Sequence, residues 1–127
     1  NTAIGGASFG GVFAMHAASS RPDLFGAAIV ESPSVLSGGA ALLAAFTAEG
    51  YNWPDTVFLG MGDQEAGTDD TAQGLNKRYV MATNRMTEAA EIAGADIEPV
   101  IGTGHVHNET AWAERFPMAL THLYGAY

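Results

Sequence analysis

Thr2-Ala3-Ile4-Gly5-Gly6-Ala7-Ser8-Phe9-Gly10-Gly11 is a short apolar run closed by glycines, with a serine at the turn and a helix-forming stretch directly after it. Thr2–Gly6 reads as a buried strand and about Phe9 to Ser20 as a helix. Arg21-Pro22-Asp23 ends that helix, because proline disfavours helical geometry at the residue before it. Between the two, Gly6-Ala7-Ser8-Phe9-Gly10 matches G-x-S-x-G. The pattern suits a sharp strand-to-helix turn that holds the serine in strained geometry, with glycines two residues either side letting strand and helix approach closely. In such a turn the hydroxyl projects above the sheet, and the Phe9 N–H points where an oxyanion would form. The plainer alternative is a serine that merely occupies a glycine turn.

Outward from this turn the same alternation continues. Gly26–Glu31, with Ala27-Ala28-Ile29-Val30 at its centre, has no polar alternation and suits a strand buried on both faces. Ser32–Gly39 reads as a loop, Ala40–Glu49 as a helix ending at Gly50, and Thr56–Met61 as a third strand. The polar loop Gly62–Asp70 leads into a long helix of about Thr71–Ala93. Leu75, Tyr79, Ala82, Met86 and Ala90 form its apolar stripe, and Gly94 its stop. Asp96–Ile101 is a fourth strand. A loop rich in glycine and histidine then opens a last helix, with Trp112, Phe116, Leu120 and Leu123 on one face and a kink expected at Pro117. Strands joined by helical crossovers predict an α/β fold: a parallel sheet of about four strands with helices on both faces. In such sheets the working loops gather at the carboxyl ends of the strands.

The 127 residues suit one domain, and 16 glycines point to tight turns and close backbone approaches. Fourteen acidic residues against five basic ones give a net charge of −9, so the basic footprint of a nucleic-acid or anionic-membrane partner is missing. The absence of cysteine excludes disulfides, thiolate metal sites and a cysteine nucleophile. No apolar run approaches the roughly 20 residues of a membrane-spanning helix, and the N-terminus has no basic-then-apolar signal pattern.

A serine nucleophile needs a base within hydrogen-bond reach and a carboxylate that orients the base, in the chain order serine, acid, histidine. The loop after the third strand, Gly62-Asp63-Gln64-Glu65-Ala66-Gly67, offers Asp63 and Glu65. The loop after the fourth, Gly102-Thr103-Gly104-His105-Val106-His107-Asn108-Glu109, offers His105 and His107. Each group falls at the carboxyl end of a predicted strand, so all can converge on one sheet edge. His105 and His107 with Glu109 also make an H-x-H pattern that could hold a metal. Asn108 suits a helix N-cap and Glu109 a first helical turn. His16 and His122 read as packing or surface residues, and Trp112 and Phe116 as core. Turn formation accounts for Ser32 and Ser34, and Thr68-Asp69-Asp70-Thr71 reads as a solvated helix start.

The order of these pieces resembles the back part of the esterase family of α/β-hydrolases that includes enterochelin esterases, feruloyl esterases and S-formylglutathione hydrolases. The matching residues are Gly5-Gly6-Ala7-Ser8-Phe9-Gly10-Gly11, Arg21-Pro22-Asp23-Leu24-Phe25-Gly26 and Glu31-Ser32-Pro33-Ser34. They continue with Gly60-Met61-Gly62-Asp63-Gln64-Glu65, His107-Asn108-Glu109, Trp112 and Arg115-Phe116-Pro117. The resemblance implies a Ser–His–acid carboxylic-ester hydrolase acting through an acyl-enzyme, with no metal or organic cofactor and a small-molecule ester as substrate. Ser8 matches the family's nucleophile. Glycine, two residues, then an acid selects Glu65, with Asp63 as the alternative. A tryptophan five residues after the histidine selects His107, whereas glycine just before it would select His105. Ser32 and Ser34 resemble a Ser-Pro-Ser loop near the active site.

The family's second oxyanion donor comes from a loop upstream of the nucleophile strand. Residues 1–127 are therefore expected to be an esterase-like domain lacking its N-terminal strands, completed by an upstream segment or by association as a homo-oligomer. The rival expectations are a non-catalytic or partner-dependent α/β fragment and an H-x-H metal-dependent hydrolase.

Overall fold

A computed structural model describes residues 2–125. The elements run β1 (Ala3–Ala7), α1 (Phe9–Ser20), β2 (Ala27–Glu31), α2 (Ala41–Phe46), β3 (Thr56–Gly62), α3 (Gln73–Ile92), β4 (Asp96–Gly102) and α4 (Glu109–Tyr124). A 3₁₀ turn at Asp70–Ala72 leads into α3. The strands form one sheet in the order β1-β2-β3-β4, every neighbouring pair parallel. Parallel neighbours require long crossovers, and helices supply them here.

Side chains alternate across a strand, so each strand feeds two layers. Ala28 and Val30 of β2 and Val57 and Leu59 of β3 join Met15 and Ala18 of α1, Leu43 and Phe46 of α2, and Ala82, Met86 and Ala90 of α3 in one buried cluster. The opposite face carries Ile29, Glu31, Phe58 and Gly60, and there α4 packs across β2, β3 and β4. That layer is thinner. A groove of about 580 Å³ opens beside it, lined by residues that include Gly5, Ala7, Ile29, Trp112 and Phe116.

Three local expectations change. The second helix is only Ala41–Phe46, because Gly38, Gly39 and Ala40 all have positive φ and delay its start. At its other end the Thr47 hydroxyl and N–H both donate to the Leu43 carbonyl, and Gly50 follows at φ 82. In α3 the buried stripe begins with Asn76 rather than Leu75, which is 38% exposed. The α4 helix runs through Pro117, and its buried face is Ala111, Arg115 and Ala119. Phe116 is 48% exposed beside the groove and is not core.

The register aligns the carboxyl ends of the strands. Ala7 pairs with Glu31, Glu31 with Gly60, and Gly62 with Gly102. The segments that follow β1, β2, β3 and β4 therefore leave the sheet along one edge.

Candidate active site

Ser8 sits between β1 and α1 at φ 62 and ψ −125, a backbone region that non-glycine residues seldom occupy. Its N–H donates to the Glu31 carbonyl at 2.9 Å, and its carbonyl accepts from Gly11 and Val12 of α1. A Cβ on Gly6 would lie 2.3 Å from the Gly10 carbonyl oxygen, and one on Gly11 would lie 3.0 Å from the Glu31 carbonyl oxygen. A Cβ on Gly10 would meet nothing within 4 Å. The close approach of helix and strand thus rests on Gly6 and Gly11, not on the symmetrical pair Gly6 and Gly10. Phe9 opens α1, so its N–H has no acceptor one helical turn back. Its side chain is 64% exposed.

Ser8 Oγ lies 2.9 Å from His107 Nε2, and His107 Nδ1 lies 2.8 Å from Glu65 Oε2. Glu65 is 8% exposed, and its other carboxylate oxygen accepts from the Gly62 N–H at 2.6 Å and the Ser32 hydroxyl at 2.5 Å. Because the carboxylate only accepts, Nδ1 carries the hydrogen and Nε2 is left bare toward the Ser8 hydroxyl. Ser34 Oγ lies 3.1 Å from Ser8 Oγ on another side.

The loops that present these groups are tied to one another. The Ala66 N–H donates to Asn76 Oδ1 at 2.7 Å, and Asn76 Nδ2 donates to the Gly67 carbonyl at 2.9 Å, clamping the Glu65 loop onto α3. Asp63 is engaged elsewhere: its Oδ1 accepts from the Gly104 N–H at 2.8 Å, joining the acid loop to the histidine loop. His105 is turned from Ser8 too. Its Nδ1 lies 2.9 Å from Arg115 Nη1 and its Nε2 2.8 Å from Glu114 Oε2. Arginine can only donate, so this ring carries its hydrogen on Nε2, toward Glu114. The two histidines of the H-x-H pattern therefore face different partners. Asn108 caps α4, its Oδ1 accepting from the Ala111 N–H at 3.0 Å.

Trp112 is half-buried, and it borders the site rather than filling a core. Its ring meets the His107 ring edge-on at 5.2 Å between centroids, and its Nε1 donates to Ser32 Oγ at 3.0 Å. Arg115 is 1% exposed and bonds Glu31 Oε2 through Nε and Nη2 at 2.9 and 2.6 Å. Nη2 also reaches Ser32 Oγ at 3.1 Å. Burial pushes the Glu31 carboxyl above its ordinary range despite the attraction of Arg115, and Glu31 Oε1 is buried without a partner among the described residues. Sequence reading overlooked Arg115 as a buried group. The signal was its place on the Ala111–Arg115–Ala119 stripe at i, i+4 and i+8.

No curated protein matches the chain. Among solved structures, it is similar to the siderophore hydrolase EstB from Aspergillus nidulans at 24% identity and a TM-score of 0.62, over 98% of this chain and 49% of that one. It is likewise similar to the siderophore hydrolase EstA from Aspergillus nidulans at 21% identity and a TM-score of 0.65, over 98% and 48%. These likenesses support the fold, and the chain spans about half the length of either structure. Residues 1–123 match the model of the family described as "Putative esterase", and the chain belongs to that family.

Proposed function

We propose that the chain carries the catalytic residues of a serine carboxylic-ester hydrolase working through an acyl-enzyme. The observation that carries this is the unbroken hydrogen-bonded series Ser8 Oγ, His107 Nε2, His107 Nδ1, Glu65 Oε2, at 2.9 Å and 2.8 Å. His107 takes the Ser8 proton as the hydroxyl attacks the ester carbonyl, and Glu65 steadies the imidazolium. The Phe9 N–H donates to the tetrahedral oxyanion. His107 then gives its proton to the leaving alcohol, and water attacks the acyl-serine by the same base to release the acid. The single-oxygen commitment of each Glu65 contact supports this assignment. Among the described residues Oε2 bonds only the histidine, while Oε1 is anchored by Gly62 and Ser32.

The test is hydrolysis of p-nitrophenyl acetate and butyrate together with fluorophosphonate labelling, on the wild-type chain and Ser8→Ala. Rapid labelling at Ser8 and loss of hydrolysis by about 10⁴-fold or more in Ser8→Ala are expected. Full activity in Ser8→Ala would overturn the proposal.

A further inference from the structure

The reading of Ser8, His107 and Glu65 leaves Ser32, buried beside them, without a role. Ser32 follows β2, is 2% exposed and has φ 42, a left-handed conformation costly for a serine. A fold that needed only a turn here would be better served by glycine. The side chain is therefore the feature that calls for an explanation.

The proton inventory of the Ser32 hydroxyl is fully determined. Trp112 Nε1 and Arg115 Nη2 can only donate, and they approach Ser32 Oγ at 3.0 and 3.1 Å. They occupy its two lone pairs. Its one hydrogen is then directed to the remaining neighbour, Glu65 Oε1, at 2.5 Å. Both donors come from α4, so that helix fixes the hydroxyl, and the hydroxyl fixes the carboxylate from the face opposite His107.

We propose that Ser32 is a positioning residue. Held by Trp112 and Arg115, it anchors Glu65 Oε1 so that Oε2 stays aimed at His107 Nδ1 and the histidine keeps the tautomer with bare Nε2. It acts through Glu65 and, at 2% exposure, stays out of substrate contact. The inference deepens the esterase reading and rests on it for its kinetic consequence, but the histidine tautomer can be observed without turnover.

The test compares the wild-type chain with Ser32→Gly, which removes the hydroxyl while relaxing the backbone at φ 42. Nitrogen-15 NMR of the histidine rings reports which nitrogen of His107 is protonated and how fast that hydrogen exchanges with water. The wild type is expected to show a protected Nδ1–H and a bare Nε2. In Ser32→Gly the Nδ1–H should exchange faster with a mixed tautomer, and fluorophosphonate labelling of Ser8 should slow about ten- to hundredfold. Substrate KM should hold within about twofold, because Ser32 touches no bound ester.

An unchanged His107 tautomer, exchange rate and labelling rate would overturn the proposal. Where Ser32→Gly does not fold, Trp112→Phe keeps the ring against His107 and removes one of the two donors. Faster exchange at Nδ1 supports the proposal there, and wild-type exchange overturns it. A changed tautomer in proteins that never label would support the positioning role and overturn the esterase reading instead.

Discussion

Arg115 Nη2 lies 2.6 Å from Glu31 Oε2, with both side chains buried between α4 and the sheet. Ions are costly to desolvate, and a tight pair offsets that cost only while both partners are present. Arg115→Met would leave the Glu31 carboxyl without its counter-ion and Ser32 without one of its two donors. Urea unfolding at neutral pH should show a loss of about 3–5 kcal/mol. A loss below about 1 kcal/mol would mean that the pair contributes little to holding α4 on the sheet.

The two histidines of the β4–α4 loop should separate cleanly. His107 faces Ser8 and Glu65, whereas His105 faces Arg115 and Glu114. His107→Ala is expected to cost about 10³-fold or more in kcat/KM for p-nitrophenyl butyrate. His105→Asn retains an oxygen able to accept from Arg115, and should keep most of the activity at a modest cost in stability. Equal losses in the two variants would contradict the assignment of His107 as the base.

Within the nucleophile turn, two glycines that look equivalent in sequence should respond in opposite directions. A Cβ on Gly6 would sit 2.3 Å from a backbone oxygen, which cannot move aside as a flexible side chain could. Gly6→Ala should destabilise by about 3 kcal/mol and reduce soluble expression. Gly10 is helical with open space at its Cβ, so Gly10→Ala should stabilise by about 0.5–1 kcal/mol through helix propensity and a less flexible unfolded chain. Thermal unfolding of the two variants side by side reads the contrast.

The strands β2 and β3 and the glycine turn were legible because their cause is local, whereas β1, read as buried, is half-buried with Gly5 exposed. A run such as Ala27-Ala28-Ile29-Val30 has no polar side to expose, and a serine between close-packed glycines implies a tight turn. The convergence of the Ser8, Glu65 and His107 loops followed from strand order alone, since parallel strands end on one edge. Other features depended on side-chain direction, which the chain order does not carry. Asp63 and Glu65 sit two residues apart in one loop, and what separates them is a third partner: Gly104 N–H for one, Gly62 N–H and Ser32 for the other. Arg115 stands in the sequence only as part of the matching Arg115-Phe116-Pro117 segment, and its burial shows once its stripe with Ala111 and Ala119 is noticed. Trp112 reads as core because nothing in its spacing reveals that its N–H is needed by Ser32. The short α2 was concealed by Ala40, an alanine at φ 62 for which composition predicts helix.

Glu31 should leave a signature in the pH dependence of stability. Burial raises its carboxyl above 4.5, outweighing the hydrogen bond and charge of Arg115, with the nearby Glu65 charge adding to the rise. A group whose folded value is raised binds protons more tightly when folded than when unfolded. Its stabilising contribution is therefore full below the unfolded value and is lost as pH rises through the folded one. Glu31→Gln cannot titrate and lacks this slope, although it leaves Arg115 without a carboxylate partner at every pH. The wild-type unfolding free energy minus that of Glu31→Gln should thus fall as pH rises from 4.5 toward neutrality. Taking the difference cancels the titrations that the two proteins share. Urea unfolding across this range measures it. A difference that grows with pH would mean that Arg115 holds the Glu31 carboxylate ionised more strongly than burial opposes it.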